Sequence, residues 1–359
     1  MNQQNPLGER AGLETLYSIE PPEHVRAAAG RMVLTNVPFG DPMAAIRIDR
    51  LKRWLFFDIG SFAQVPARTA HQISDIFISH THVDHICGFP WLLGRRINCP
   101  EVCRIYGPPG LAGHFESMIN AFVWDRLGDK GPEFAIAEVH HSHILWWHFK
   151  VGQKGFERGE QTLIENDVLL HDPLFQVKAA YLDHGIPVLS YAYEERPQHH
   201  FLQQRREVLG IQPGPWIADL QRLANIGDWE ATVTLPNGTS PQVKSLVANM
   251  METRPGYKLV YATDFGDTQE NREKLINLAA NADTLICETS YLQEDEEHAV
   301  RTGHMTAKAC AEIAQAAQVH SVLPFHFSNR YVDHPERLYQ EVAASFPNVE
   351  IPHELRDLF

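Results

Sequence analysis

No stretch of this 359-residue chain approaches the roughly 18 consecutive apolar residues that a membrane-spanning helix needs. Residues 1–30 carry Glu9, Glu14, Glu20 and Glu23 without an apolar run, so they read as neither signal peptide nor anchor. Cysteine is scarce. Cys87, Cys99, Cys103, Cys287 and Cys310 are odd in number and lack framework spacing, which argues against a disulfide scaffold. Cys99 and Cys103 have no second pair to complete a zinc site, so idle thiols in a reduced cytoplasm are expected. Basic charge is short as well: 31 Lys and Arg against 45 Asp and Glu leave a formal charge of −14. That balance speaks against broad electrostatic attachment to nucleic acid or anionic membrane, while leaving room for a local basic patch. What the chain does have is core material. With 44% hydrophobic and 21% charged residues it should be globular, and no composition break divides it. The expected organisation is an irregular extension over 1–30, then one domain over 31–359 with insertions at about 123–176 and 195–250.

The chemistry concentrates in residues 74–90. An apolar strand over Ile76 to Ile78 runs into a loop carrying His80, His82, Asp84 and His85. Three imidazoles and a carboxylate so close together suit a divalent metal, whose borderline-to-hard preference takes nitrogen and oxygen ligands. Alternate residues of an extended segment face the same side, so His80 and His82 can hold one ion, with Asp84 and His85 placed for a second. This His-x-His-x-Asp-His arrangement after a short strand resembles the metallo-β-lactamase superfamily of hydrolases. Upstream, the strand Trp54 to Phe57 delivers Asp58 and a tight turn at Gly60, where a carboxylate can orient a ligand histidine.

Further along, the pattern repeatedly ends strands on ligand-type residues. A strand over Val177 to Tyr181 delivers His184. The strands Lys258–Thr263, Thr284–Cys287 and Ser321–Phe325 deliver Asp264, Glu288 and His326. In layered α/β folds such strand ends are where sites assemble. Helices are expected over Leu111–Phe122, Gln269–Ala280 and Thr306–Ala317 and after Pro335. Residues 123–176 alternate polar and apolar without clear breaks. They hold His140, His141, His143 and His148 beside Trp146 and Trp147, a cluster read as structural or surface residues. Seven donors, His80, His82, Asp84, His85, His184, Asp264 and His326, suit two divalent ions if Asp264 bridges them. One ion would take His80, His82, His184 and Asp264, and the other Asp84, His85, His326 and Asp264. Two such ions lower the pKa of bound water towards about 7 and clamp the oxygens of an in-line displacement. Zinc is the default for this donor set; manganese or iron fits the same ligands.

The resemblance extends to the ribonuclease Z (tRNA 3′-processing endonuclease) branch, from about residue 50 to 340. It is carried by Ser79-His-Thr-His-Val-Asp-His-Ile-Cys-Gly-Phe-Pro90, Tyr106-Gly-Pro-Pro-Gly-Leu111, His184-Gly-Ile-Pro187, Leu209-Gly-Ile-Gln-Pro-Gly-Pro215, Gly303-His-Met-Thr306 and His326-Phe-Ser-Asn-Arg-Tyr331. It implies an α/β fold, a four-layer αβ/βα sandwich (the metallo-β-lactamase fold) with the metals at its rim, assembled as a cytoplasmic homodimer. It further implies that Asp84 assists deprotonation of the attacking water and that His304 is the general acid, supported by Glu288. Ser328 and Arg330 would bind the scissile phosphate of a phosphodiester substrate, for the branch a precursor tRNA.

Three stretches depart from the branch. Leu34-Thr-Asn-Val-Pro-Phe-Gly40 stands where a Leu-Gly-Thr turn is usual. Asp58-Ile-Gly-Ser-Phe-Ala-Gln64 lacks the usual glutamate and second glycine. Residues 195–225, where a Gly- and Lys-rich arm is usual, hold no lysine and four arginines. A related hydrolase of small phosphodiesters or other esters is the alternative.

Overall fold

The computed structural model describes residues 38–63, 65–153 and 157–351, together with the backbone of 17–19 and 30–34. A first sheet carries nine strands in chain order: β1 (Tyr17–Ile19), β2 (Gly30–Leu34), β3 (Ala44–Ile48), β4 (Arg53–Phe57), β5 (Ile73–Phe77), β6 (Cys103–Gly107), β7 (Glu133–Val139), β8 (His143–Lys150) and β9 (Glu157–Leu163). Pairing is parallel from β4 to β7 and antiparallel on both flanks. The segment expected to be irregular thus contributes an edge strand, because Tyr17–Ile19 pairs in register with Met32–Leu34. The remainder of the 1–30 extension, residues 1–16 and 20–29, lies outside the described residues.

A second sheet follows from β10 (Val168–His171), β11 (Phe175–Asp183) and β12 (Pro187–Glu195). Then comes a small ribbon, β13 (Gln198–Phe201) with β14 (Met251–Arg254). The second sheet resumes with β15 (Lys258–Ala262), β16 (Thr284–Glu288) and β17 (Ser321–Phe325). Helices α1 (Val83–Ile86), α2 (Phe89–Arg95) and α3 (Leu111–Asn120) lie within the first half of the chain. Between the ribbon strands run α4 (Gln203–Val208), α5 (Trp216–Asn225) and α6 (Val243–Met250). The last third contributes α7 (Gln269–Ala279), α8 (Glu296–Thr302), α9 (Ala307–Ala316) and α10 (Glu336–Ser345).

The layers follow from which face each apolar residue takes. Along β4, Leu55 and Phe57 join Tyr191, Leu259 and Tyr261 in a core between the two sheets, while Phe56 turns the other way to meet Leu92 and Phe89 of α2. On β15, Leu259 and Tyr261 enter the inter-sheet core, and Val260 and Ala262 pack on Leu275 of α7 and Ile313 of α9. Strands buried on both faces read as continuous apolar runs, which is why Trp-Leu-Phe-Phe and Lys-Leu-Val-Tyr-Ala are legible as strands. Helix, sheet, sheet, helix is the αβ/βα sandwich that was expected. Residues 123–176 resolve into β7 to β10. The outer strand β9 is Glu-Arg-Gly-Glu-Gln-Thr-Leu and almost wholly exposed, so no apolar alternation marks it.

The excursion after β12 is more than a solvated detour. Trp216, Leu220, Leu246 and Met250 close a small core of their own. The β13–β14 ribbon, pairing Phe201 with Met251, ties its two ends together.

All the strands that deliver candidate site residues end on one rim. β15, β16 and β17 are mutually parallel. β11 is antiparallel to β12, which is antiparallel to β15, so β11 points the same way. In the other sheet β4 and β5 are parallel. The rims meet where Tyr191 donates to the Ile78 carbonyl at 2.6 Å and Leu189 N to Ser79 O at 2.9 Å. Gly60 allows the turn after β4 to sit against the metal loop, since a Cβ there would lie 2.3 Å from Asp84 O. Gly60→Ala should therefore lower stability by about 1–3 kcal/mol through forced backbone displacement. A reduced urea midpoint with unchanged slope is the expected measurement.

Candidate metal centre

Asp58 is the buried anchor of the rim. Its carboxylate accepts from Ser79 N at 2.7 Å, Ser79 Oγ at 2.8 Å, His85 Nδ1 at 2.8 Å and Tyr261 OH at 2.8 Å. With Nδ1 donating, His85 carries its free lone pair on Nε2. Ser79 gives its one proton to Asp58, so its oxygen is left to accept from His80 Nδ1 at 3.1 Å. Thus His80 also turns a bare Nε2 to the cleft. His184 is fixed by the Gly303 carbonyl, 2.7 Å from its Nδ1, and a carbonyl can only accept. Gly303 ends α8 at φ +74°, and its open side faces the His184 ring, where an added Cβ would come within 3.0 Å of Nδ1. Asn271 of α7, itself buried, binds Asp183 N at 3.0 Å, Asp183 O at 2.9 Å and Gly266 O at 2.8 Å, clamping the His184 loop to the Asp264 loop.

The ligand-type residues assemble into groups that share one carboxylate. Asp84, His85, Asp264 and His326 offer donor atoms all within 4.8 Å of one another, as do His80, His82 and Asp264, and Asp264, Glu288, His304 and His326; His184 belongs to none of these groups. Asp264 Oδ2 stands 2.9 Å from His85 Nε2 and 3.3 Å from His80 Nε2, and its Oδ1 lies 3.1 Å from His326 Nδ1. The His184 ring centroid is 5.8 Å from that of His80 and 5.5 Å from that of His82. Three of these residues leave their strands with positive φ: Asp58 at +54°, Asp264 at +50° and His326 at +58°. Such conformations are uncommon outside glycine and concentrate at functional positions.

Whether these residues fit metal ions can be judged from unmet valences. His80 Nε2 and His85 Nε2 are buried and make no hydrogen bond, although Asp264 Oδ2 is close by. A buried polar atom without a partner needs an explanation, and a cation between the imidazoles and Asp264 supplies one. The electrostatics agree. Burial disfavours charge on His85 and His326, yet Asp264 with Asp58 in the first case, and Asp264 with Asp84 in the second, raise both pKa values. Burial likewise opposes ionisation of Asp84 and Asp264, but the surrounding imidazoles hold both carboxyls below the usual range. His80 and His82 move down, chiefly through burial, and so stay neutral for ligation.

Beside the first two groups, Glu288 accepts from His304 Nδ1 at 2.9 Å and from Phe265 N at 2.6 Å, and Ser290 Oγ lies 2.8 Å from its Oε2. Burial works against charge on His304, but the Glu288 and Asp264 carboxylates raise its pKa to about 9. Met305 is fully buried in the core against α9, and Thr306 caps that helix. A cleft of about 360 Å3 lies over Asp84, His304, His326 and Ser328, walled by Phe39 and Tyr291. Arg330 does not line it. Its guanidinium is 2.5 Å from Asp295, whose carboxylate also takes the Tyr331 hydroxyl. Of the residues other than Asp58 that orient this site, Ser79 and Gly303 stand inside stretches that carry the family resemblance but have no role assigned there, and nothing in the sequence singles out Tyr261, Asn271 or Ser290.

Known proteins share this organisation. A family model described as the metallo-beta-lactamase superfamily matches residues 55–196, and a beta-lactamase superfamily domain model matches residues 213–327. The ribonuclease Z of Prochlorococcus marinus (strain NATL1A) is 31% identical over 313 residues, 84% of this chain and 87% of that protein. The chain belongs to the ribonuclease Z family. The ribonuclease Z of Microcystis aeruginosa is 31% identical over 86% of this chain and 87% of its own length, and that of Brevibacillus brevis 29% identical over 86% and 88%. The metallo-beta-lactamase fold protein YhfI from Bacillus subtilis matches in structure with a TM-score of 0.53 over 89% of this chain and 95% of its own. At 14% identity that is a likeness of fold. Membership makes the chain a metal-dependent hydrolase, as its metal loop implies, and no helix among the described residues is long and apolar enough to cross a membrane.

Asp58→Asn keeps the size of the side chain but replaces an acceptor oxygen by a donor nitrogen. It should weaken divalent-metal affinity about 10–100-fold by losing the orientation of His85 and Ser79. Titration with a competing chelator measures this, and unchanged affinity would show that Asp58 does not govern the centre.

Proposed function

We propose that this ribonuclease Z family chain is an endoribonuclease that cuts a phosphodiester bond at the 3′ side of precursor tRNA. Its two divalent ions would be held by His80, His82, His184 and Asp264, and by Asp84, His85, His326 and Asp264. The observation that carries the reading is the pair of donor sets meeting at Asp264, in a chain 31% identical to ribonucleases Z over more than four-fifths of its length. Bound there, the ions supply Lewis acidity and a nucleophile at neutral pH. Zinc is the ion proposed, and five free thiols suit a reducing cytoplasm. A homodimer belongs to the same reading, by analogy with the ribonuclease Z branch.

The remaining steps fall to side chains. Asp84, kept ionised by His326 and His85, takes the proton of the attacking water on a carboxylate oxygen. His304 turns Nδ1 to Glu288, which leaves Nε2 for donation to the leaving oxygen, and its raised pKa keeps that proton in place at neutral pH. Ser328 lines the cleft and would be a phosphate contact there. Arg330 reaches a phosphate by exchanging Asp295 for it, a swap between two acceptors that suit its planar fork.

A second reading, a hydrolase of small phosphodiesters, is favoured by one feature of the excursion after β12. Three of its four arginines are occupied: Arg205 on Met251 O at 3.3 Å, Arg206 on Ile211 O at 2.7 Å, and Arg196 on His171. A tRNA grip needs cations free to neutralise phosphates. The two readings separate in a paired assay on an unprocessed tRNA precursor and on bis(p-nitrophenyl) phosphate. Cleavage of the precursor next to its mature 3′ end is expected; turnover of the small diester alone sinks the tRNA reading.

His304→Ala should retain both metals and lose roughly 100-fold or more in kcat. Because Glu288 raises the pKa of His304, the acid is lost as pH rises, giving kcat an alkaline limb. Glu288→Gln removes that support and should move the limb to lower pH; an unmoved limb would assign the acid elsewhere.

A further inference from the structure

A groove of about 540 Å3 opens beside the loop that carries His184. Asp183 and Gly185, the neighbours of that histidine on either side, both line it. Pro109, Ile186 and Lys274 form further walls, and the β7–β8 turn closes it with His140, His141 and His143. It shares no wall residue with the cleft over Ser328, and it adjoins the centre only through Asp183 and Gly185, the neighbours of His184. His140, His141, Tyr181 and Lys274 also border an adjoining groove of about 440 Å3.

The chemistry of this flank differs from that of the metal centre. The His140 and His143 rings stack with centroids 4.6 Å apart and planes 6° from parallel. His141 lies 4.5 Å from the Tyr181 ring, which is pinned by its hydroxyl to the Val139 carbonyl. His140 Nε2 is buried without a hydrogen-bond partner. The nearby cations are matched: Lys178 and Lys258 contact Glu194 at 3.0 and 3.4 Å, and Lys274 contacts Glu270 at 2.7 Å. Paired charges make a poor track for phosphates. Flat rings, one of them exposed at His141, suit the face of a base.

We propose that this groove is a nucleobase subsite, which takes the base of a nucleotide flanking the scissile bond, stacked on the exposed ring of His141. The proposal rests on the phosphodiesterase reading and adds to it a contact made by the β7–β8 turn. It also gives a use to histidines that the metal chemistry leaves aside.

The test uses the full-length, metal-loaded protein and oligoribonucleotides carrying 2-aminopurine at successive positions around the cut. Fluorescence should be quenched at one or two positions next to the scissile bond and nowhere else, and His141→Ala should abolish that quenching. The same variant should lower the ratio of kcat/KM for the oligonucleotide to that for bis(p-nitrophenyl) phosphate about tenfold, the loss expected for one stacked base. His141→Phe keeps a flat ring and should restore both readouts. RNA cleavage with a ratio within twofold in His141→Ala, or no rescue by phenylalanine, overturns the subsite. If the unaltered protein turns over the small diester but no oligonucleotide, the nucleic-acid reading itself has failed and the subsite falls with it.

Discussion

The buried carboxylate of Asp58 is the constraint from which the rest of the site is built. A carboxylate removed from water is strongly unfavourable unless every acceptor position finds a donor. Asp58 meets that demand with donors from two directions: Ser79 and His85 from the metal loop, and Tyr261 from the facing sheet. Satisfying one charge therefore sets the spacing between the sheets at the rim, the path of the loop after β5 and the proton position on His85. The phenol of Tyr261 must stay protonated to donate, and burial together with the neighbouring carboxylates raises its pKa well above the ordinary value.

A second constraint is the direction of the parallel strands. Because β15, β16 and β17 run together, their C-terminal ends can only deliver side chains to the same rim. The backbone then turns sharply at Asp264 and His326, in the left-handed region that costs a non-glycine residue of order 1–3 kcal/mol. That turn aims the side chain back over the strand end instead of along it. Ridding these positions of strain by a glycine would free the backbone and remove the candidate ligand atom at once, so geometry and the proposed chemistry cannot be improved separately here.

These two constraints explain what the sequence disclosed. His80, His82, Asp84 and His85 are readable because one short loop holds them, and β4, β15, β16 and β17 because strands buried on both faces leave unbroken apolar runs. Asp264, Glu288 and His326 become legible once those strands are assigned, since each stands at or just beyond a strand end. Orientation is another matter. Tyr261 meets Asp58 across 203 residues and Asn271 clamps Asp183 across 88, and nothing local in either stretch announces the partner. The pairing of Arg330 with Asp295 is hidden for the same reason: a guanidinium and a carboxylate far apart in the chain, each unremarked where it stands. The exposed polar strand β9 is missed for the opposite reason, having no buried face to leave a period.

The acidic balance of the chain takes on a local meaning at this rim. Four carboxylates, Asp58, Asp84, Asp264 and Glu288, converge on six imidazoles within a small volume, and no lysine or arginine among the described residues lines the cleft with them. The imidazoles nearest the carboxylates, His85, His304 and His326, have their pKa values raised, which is to say that the site attracts positive charge wherever a group can carry it. The two dications proposed here would bring four positive charges to four negative ones. A proton on His85 or His326 competes with a metal for the same charge, so metal binding releases protons and strengthens as pH rises through their titration. A phosphodiester entering this cleft meets neither a repelling cluster of carboxylates nor a general basic surface. On the proposed reading it would meet a centre whose positive charge is supplied by the ions, which would confine its attraction to that centre.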